Sequence, residues 1–148
     1  MVETTFLALV VLGMKMSSNM LPEAEVKSMV ADVEEATPEP LLFPGERLFW
    51  LRTSWEEGAF QKSPKGYNDN GSACGVTQVN KFVIPEGFGT CTDLRASRAK
   101  SIAASRAILK PLIIKCGSVR SAIGAYMTGG ACGSAPKLTA RRCRDGAC

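Results

Sequence analysis

Two adjacent carboxylates, Glu56 and Glu57, lie between aromatic residues in the run WEEGAF at residues 55–60. A carboxylic acid in apolar surroundings keeps its proton closer to neutral pH, because its charged form loses hydration there. Such an acid can protonate the leaving oxygen of a glycosidic bond. Taken alone, however, this hexapeptide is more typical of surface charges on an amphipathic helix.

A turn-rich block, GYNDNGSACGVTQV, follows at residues 66–79. Its Gly, Asn and Asp residues predict a loop or a small irregular hairpin. Asp69 is the only Asp near Glu57 in the sequence. It either orients a water molecule or shapes an Asx turn, and we favour the turn because Asn residues flank it.

A third block, SAIGAYMTGG, occupies residues 121–130. Gly117-Ser118 predicts the start of a helix that runs through Met127, and Gly129-Gly130 predicts its end. Tyr126 lies on this helix. By itself it would be an ordinary residue of an amphipathic helix.

Together the three blocks resemble the goose-type lysozymes and soluble lytic transglycosylases. In that family a Glu at a helix end is followed three positions later by an aromatic residue, and then by a turn that runs into Gly-Leu-Met-Gln-hydrophobic. Here Glu57 and Phe60 are followed by GVTQV at residues 75–79, with Val-Thr in place of Leu-Met. Choosing Glu56 as the acid would put Ala59 at the aromatic position, so Glu57 is the predicted acid.

The third block resembles the Ala-x-x-x-Tyr-x-x-Gly element of the same family, and the resemblance covers roughly residues 46–132. It implies a mainly α, lysozyme-like α+β fold, with a small loop or hairpin after the catalytic helix. It also implies that Glu57 is the catalytic acid and that the Tyr126 hydroxyl faces it across a cleft. Four further residues are predicted to bind the substrate: Phe60, Asp69, Gly75 and Gln78.

The resemblance further implies cleavage of the β-1,4 bond between N-acetylmuramic acid and N-acetylglucosamine in peptidoglycan. No second carboxylate is placed convincingly as a nucleophile, so the acetamido group of the substrate would stabilise the reacting carbon. A lytic transglycosylase, which leaves a 1,6-anhydro sugar, is the predicted enzyme. A hydrolytic lysozyme acting on the same bond is the alternative. No cofactor and no metal are expected.

The charge of the chain is unevenly distributed. Residues 1–46 contain two Lys and eight Asp or Glu, a net charge of −6, whereas residues 47–148 contain sixteen Lys or Arg and six Asp or Glu, a net charge of +10. So basic a segment favours a polyanionic partner such as nucleic acid, an acidic membrane or an anionic cell wall, and charge alone does not choose among them. A non-catalytic wall-binding or nucleic-acid-binding domain is therefore a second class of function. No motif interleaves the basic residues with aromatic ones, so no nucleic-acid partner is expected.

The chain has no histidine, which excludes Ser-His-Asp and Cys-His catalysis and zinc sites that need imidazole. Its six cysteines are confined to residues 74–148 and form no Cys-x-x-Cys pair. An even, scattered set predicts up to three disulfides and an extracellular or periplasmic protein, or one carried by a phage particle. Their pairing is left open. Buried free thiols in a cytosolic protein are the alternative.

Hydrophobic periodicity predicts helices over residues 23–36, where Val26, Met29, Val30 and Val33 share one face, and over 46–57. A long helix is predicted over 93–114, with Asp93 as N-cap and Pro111 as a kink or an end. Residues 133–148 are predicted to be basic and turn-rich.

Proline-rich residues 37–44 separate an acidic N-terminal arm, residues 1–40, from a catalytic domain over residues 41–148. The apolar run at residues 6–14 is too short to span a bilayer. It is either part of a secretory signal or a buried helix. We expect a monomer without a transmembrane span.

Overall fold

The computed structural model describes residues 2–17, 21–62 and 71–148. Helices dominate this part of the chain, which confirms the predicted mainly α fold. The helices are α1 (Val2–Ser17), α2 (Glu23–Ala36), α3 (Glu46–Gly58), α4 (Cys91–Ala96), α5 (Arg98–Cys116), α6 (Val119–Thr128) and α7 (Pro136–Arg142). An antiparallel hairpin of β1 (Ala73–Cys74) and β2 (Val79–Asn80) lies between α3 and α4, and short 3₁₀ turns occupy Lys81–Val83 and Arg144–Gly146.

Helix α2 has the bounds and the buried face that its sequence predicts. Val26, Met29, Val30 and Val33 have no exposed surface, as expected for apolar residues at helical spacing. Helix α3 likewise begins at the predicted Glu46 and ends one residue beyond the predicted Glu57.

The N-terminal segment belongs to the same hydrophobic core as the rest of the chain. Met29, Val30 and Val33 of α2 join Phe49 and Trp50 of α3 in a single buried cluster, and α2 packs against α1, α3 and α5. Residues before and after residue 40 thus contribute apolar side chains to one hydrophobic core.

Helix α1 contains the apolar run of residues 6–14. Leu9 is buried, whereas Val11 and Met14 are exposed. Among the described residues, no helix is long and apolar enough to cross a membrane.

The predicted helix over residues 93–114 is wrong in two respects. It is interrupted at Ser97, whose extended backbone separates α4 from α5 and whose hydroxyl accepts from the Lys100 N–H. Asp93 is not the N-cap, because Thr90 holds that position and Asp93 completes a capping box. The Thr90 backbone N–H, followed by its hydroxyl, lowers the pKa of the Asp93 carboxyl.

Pro111 does not end α5, which continues to Cys116. Proline removes one N–H donor from the helix and leaves one carbonyl without its partner. Pro111 is exposed, and Ala107, which carries that carbonyl, is partly exposed. An unpaired backbone group costs most where it is buried away from water, so the helix tolerates proline at this position.

All six cysteines form disulfides, which confirms the predicted oxidised state. The pairs are Cys74–Cys91, Cys116–Cys132 and Cys143–Cys148. The first ties β1 to the start of α4, the second ties the end of α5 to the loop after α6, and the third closes the C-terminal turn. Residues 133–148, which were predicted to be turn-rich, contain helix α7 before this C-terminal turn.

The Arg98 guanidinium joins α5 to the acidic residues of α2. Only 4% of its side chain is exposed, and it pairs with Glu25 and Asp32, the latter at 2.7 Å. It also donates to the Ser28 hydroxyl at 2.8 Å. Three residues on one face of α2 therefore converge on a single buried cation.

We expect Arg98→Met to lower the free energy of unfolding by about 2–4 kcal/mol, because it leaves two acidic residues without their buried partner. The matched control is Lys27→Met, which removes an ion pair with Glu23 in which both side chains are more than half exposed. That change should cost no more than about 0.5 kcal/mol. Urea denaturation of the three proteins measures both values. Equal, small losses would show that α2 is not held to α5 by this pairing.

Candidate functional site

A cavity of about 330 Å³ opens between the end of α3, the hairpin, α5 and α6. All three sequence blocks contribute to its lining, among them the predicted site residues Glu57, Gln78 and Tyr126. The other lining residues are Thr77, Val79, Asn80, Val83, Ile108, Met127, Thr128 and Gly129. Three segments that are distant in sequence thus line the same cavity.

Glu57 lies at the cavity because α3 ends immediately after it. Gly58 is the last residue of the helix, and Ala59 and Phe60 both adopt left-handed backbone conformations. Non-glycine residues seldom adopt this conformation, and here it turns the chain sharply away from the helix axis. The Phe60 ring is 2% exposed and packs 5.2 Å from the Trp55 ring.

Glu57 forms an ion pair with Arg142, the last residue of α7. Its Nη2 donates to Glu57 Oε1 at 2.9 Å, and 35% of the Glu57 side chain is exposed. The surroundings of Glu57 therefore differ from the apolar pocket expected from Trp55 and Phe60. The Phe60 ring faces the core, while a cation holds the carboxylate.

Arg142 also binds the neighbouring Glu56, which accepts from its Nε and from Arg141. The Arg142 side chain is only 5% exposed. Sequence reasoning missed this residue. The one signal in the sequence was the opposite charge of two residue pairs, Glu56-Glu57 and Arg141-Arg142. No local pattern connects these pairs, because they lie far apart in the chain.

Tyr126 projects from α6 beside Trp50, and the two rings meet edge to face with centroids 5.7 Å apart. Burial raises the pKa of the Tyr126 phenol to about 12, with a hydrogen bond to Ser105 opposing the shift and the charge of Glu57 adding to it. The phenol is therefore protonated at neutral pH. It can donate a hydrogen bond within the cavity.

A chain of buried hydroxyls supports this wall of the cavity. Thr77 Oγ1 lies 2.8 Å from Ser101 Oγ and accepts from Ser105 Oγ at 2.7 Å. Thr77 stands where the family pattern has Met, so the departure is matched by polar partners on α5. Sequence reasoning did not single out Ser101 or Ser105, since Ser residues within an Ala-rich helix carry no motif.

Gly75 and Gln78 form the turn of the hairpin. Gly75 has a φ of 73°, and an added Cβ would lie 2.8 Å from the Leu94 carbonyl oxygen, so only glycine fits there. Gln78 also has a positive φ, of 53°, and its side-chain amide donates to the Gly75 carbonyl at 2.9 Å. This turn places Gln78 on the cavity wall and leaves Gly75 behind it.

Two predicted substrate-binding residues, Phe60 and Asp69, remain. Phe60 is in the core and does not line the cavity. Asp69 lies outside the described residues. Within the described ranges, no group of three or more Cys, Asp or Glu is arranged to hold a metal ion.

Comparison with known proteins identified no relative of this chain: no family model, no curated protein and no solved structure matches it.

The raised pKa of Tyr126 predicts a late step in alkaline titration. The chain has two tyrosines, so the difference in tyrosinate absorbance between the parent and Tyr126→Phe belongs to Tyr126. We expect that difference to have its midpoint near pH 12, against about 10 for a free phenol. A midpoint near 10 would mean that the phenol is fully hydrated.

The same shift has a consequence for stability. Below about pH 10 the phenol is protonated in the folded and unfolded states, and above it the unfolded state releases the proton first. The parent should therefore lose up to about 2–3 kcal/mol of unfolding free energy between pH 10 and 12 that Tyr126→Phe does not lose. Denaturation curves at neutral and alkaline pH measure this difference.

Proposed function

We propose that this chain is a peptidoglycan-cleaving enzyme that acts on the β-1,4 bond between N-acetylmuramic acid and N-acetylglucosamine, as a lytic transglycosylase. The observation that carries the proposal is the meeting of Glu57, Gln78 and Tyr126 at one cavity. Each belongs to a different block of the sequence resemblance, and each block alone is weakly specific.

In the proposed reaction Glu57 donates its proton to the glycosidic oxygen as the bond to the muramic acid carbon breaks. The carbonyl oxygen of the sugar's own acetamido group shares the positive charge that develops at this carbon. The Glu57 carboxylate then accepts the proton of the muramoyl C6 hydroxyl. The C6 oxygen bonds to the same carbon, which gives a 1,6-anhydro sugar and returns the proton to Glu57.

The number of carboxylates supports this route over a retaining pair. Among the described residues that line the cavity, Glu57 is the only acidic one. Its neighbour Glu56 is 17% exposed and is bound by Arg141 and Arg142. In the proposed reaction the second group that stabilises the reacting carbon therefore comes from the substrate.

Arg142 limits how Glu57 can act. It donates one N–H to Oε1 of Glu57 and shares its charge with Glu56. Within the described residues this bond is the only one that the Glu57 carboxylate makes to a side chain, so Oε2 is the oxygen proposed to carry the proton. Arg142 also stabilises the carboxylate that forms once the proton has left.

The other lining groups suit an uncharged sugar. Gln78, Asn80 and Thr128 offer amide and hydroxyl groups, and Val79 and Val83 offer apolar surface. Such a mixture fits the hydroxyl and acetamido groups of N-acetylated sugars. The net charge of +10 over residues 47–148 would favour approach to an anionic wall.

We expect Glu57→Gln to lower the rate of wall cleavage by roughly 10²–10⁴-fold, because an amide cannot donate the required proton. The matched control is Glu56→Gln, which changes the adjacent carboxylate outside the cavity and should retain activity within about tenfold of the parent. Release of soluble muropeptides from purified peptidoglycan measures both rates. If Glu56→Gln were inactive and Glu57→Gln active, the catalytic acid would be Glu56 and the assignment to Glu57 would be wrong.

Mass spectrometry of the products decides between the two reactions on this bond. Anhydro ends are expected for the transglycosylase. Reducing ends would identify a hydrolase in which water replaces the C6 hydroxyl. If the parent releases no muropeptide yet binds cell walls or nucleic acid, the chain is a non-catalytic binding domain and the proposal fails.

A further inference from the structure

An exposed aromatic side chain, Phe82, lies in the turn next to residues that line the cavity. Phe82 is 80% exposed and the adjacent Val83 is 56% exposed, both in the turn Lys81–Val83 that follows β2. Large apolar residues gain free energy when they leave water. A ring this exposed beside a cavity is therefore available to pack against a ligand.

The turn that carries Phe82 is ordered by its own hydrogen bonds. The Asn80 side chain accepts from the Phe82 N–H at 2.9 Å, and the Lys81 N–H donates to the Ser72 carbonyl at 2.7 Å. The Lys81 ammonium lies 5.1 Å from the centre of the Phe82 ring, within the range of a cation–π contact. The hydrogen bonds order the backbone that carries the ring.

The position of the ring relative to the cavity follows from its neighbours. Asn80 on one side of it in the chain and Val83 on the other both line the cavity, whereas Phe82 itself does not. Phe82 thus lies between two lining residues of the chain without itself lining the cavity. A ligand that is longer than the cavity and extends past this turn would reach the ring.

The size of the cavity requires such an extension if the substrate is a polymer. A volume of about 330 Å³ is near the lower end of the range for sites that enclose a small ligand. A glycan strand extends beyond the bond that is cleaved, so its outer sugars must lie on the surface. Pyranose rings present a face of C–H groups that packs on aromatic rings, with polar groups left at the edge for water.

We propose that Phe82, supported by Val83, forms an additional saccharide-binding subsite that holds a sugar ring of the glycan strand outside the cavity. This inference rests on the proposed function, because it names where the same substrate continues. Phe82 is a specificity-determining residue here, not a catalytic one. It gives long strands an advantage over short fragments.

The test measures binding in the Glu57→Gln background, so that cleavage does not alter the ligand. The probe is peptide-free glycan strands prepared from cell walls, compared with the single disaccharide unit. Adding Phe82→Ala should weaken strand binding about two- to tenfold, the range expected for loss of one aromatic contact, and leave disaccharide binding unchanged. Phe82→Trp should retain strand binding.

Ile114 provides the matched control. It is also 80% exposed, but it lies on α5 and does not line the cavity. Ile114→Ala in the same background should leave strand binding unchanged. Equal binding by the Phe82→Ala and Ile114→Ala proteins would overturn the subsite. Cleavage by the protein with native Glu57 is measured separately, so a protein that binds strands through Phe82 without cutting them would refute the proposed function alone.

Discussion

The position of the candidate catalytic acid depends on two buried arginines that bind α3 and the C-terminal segment to each other. Each arginine belongs to one of these segments and contacts groups of the other. Arg52 of α3, 4% exposed, donates to the backbone carbonyls of Arg142 and Arg144 and pairs with Asp145 at 2.9 Å. Arg142 in turn reaches back to Glu56 and Glu57. A buried guanidinium is costly without partners, so each arginine requires the other segment to be in place. The Cys143–Cys148 disulfide closes the same segment.

Ion pairing across the core also explains the uneven charge of the chain. Glu25 and Asp32 of α2 bind Arg98, and Glu46, which has no exposed surface, binds Arg106. Acidic residues from before residue 47 are thus partners of basic residues on α5. Part of the opposite charge of residues 1–46 and 47–148 is therefore used in ion pairs between the two segments, and the remaining basic residues are those available to an anionic partner.

Glu46 shows how closely packing and polarity are combined around the cavity. Its carboxylate accepts from the Leu42 N–H and from the Trp50 indole, and the same Trp50 ring packs against Tyr126. A buried carboxylate that is fully hydrogen-bonded is tolerated where an unpaired one is not. The orientation of Tyr126 at the cavity therefore depends on a residue at the opposite end of α3 from Glu57.

Local features of the sequence determined the helices with one buried face, the helix start at Gly117-Ser118 and the hairpin, because periodicity, capping and turn chemistry act over a few residues. The even number of scattered cysteines predicted their oxidised state. The spaced blocks of the sequence also predicted Glu57, Gln78 and Tyr126 as site residues, and these three line one cavity. The tertiary structure decided what these blocks could not: the break at Ser97, the structural place of Gly75 and Phe60, the disulfide pairing, and the partners Arg142, Ser101 and Ser105. Each of these depends on which surfaces meet after the chain has folded, and a salt bridge between residues 57 and 142 leaves no pattern in either segment. The acidic segment reads as a separate arm for the same reason, since its partners on α5 lie far along the chain and meet it only in the folded core.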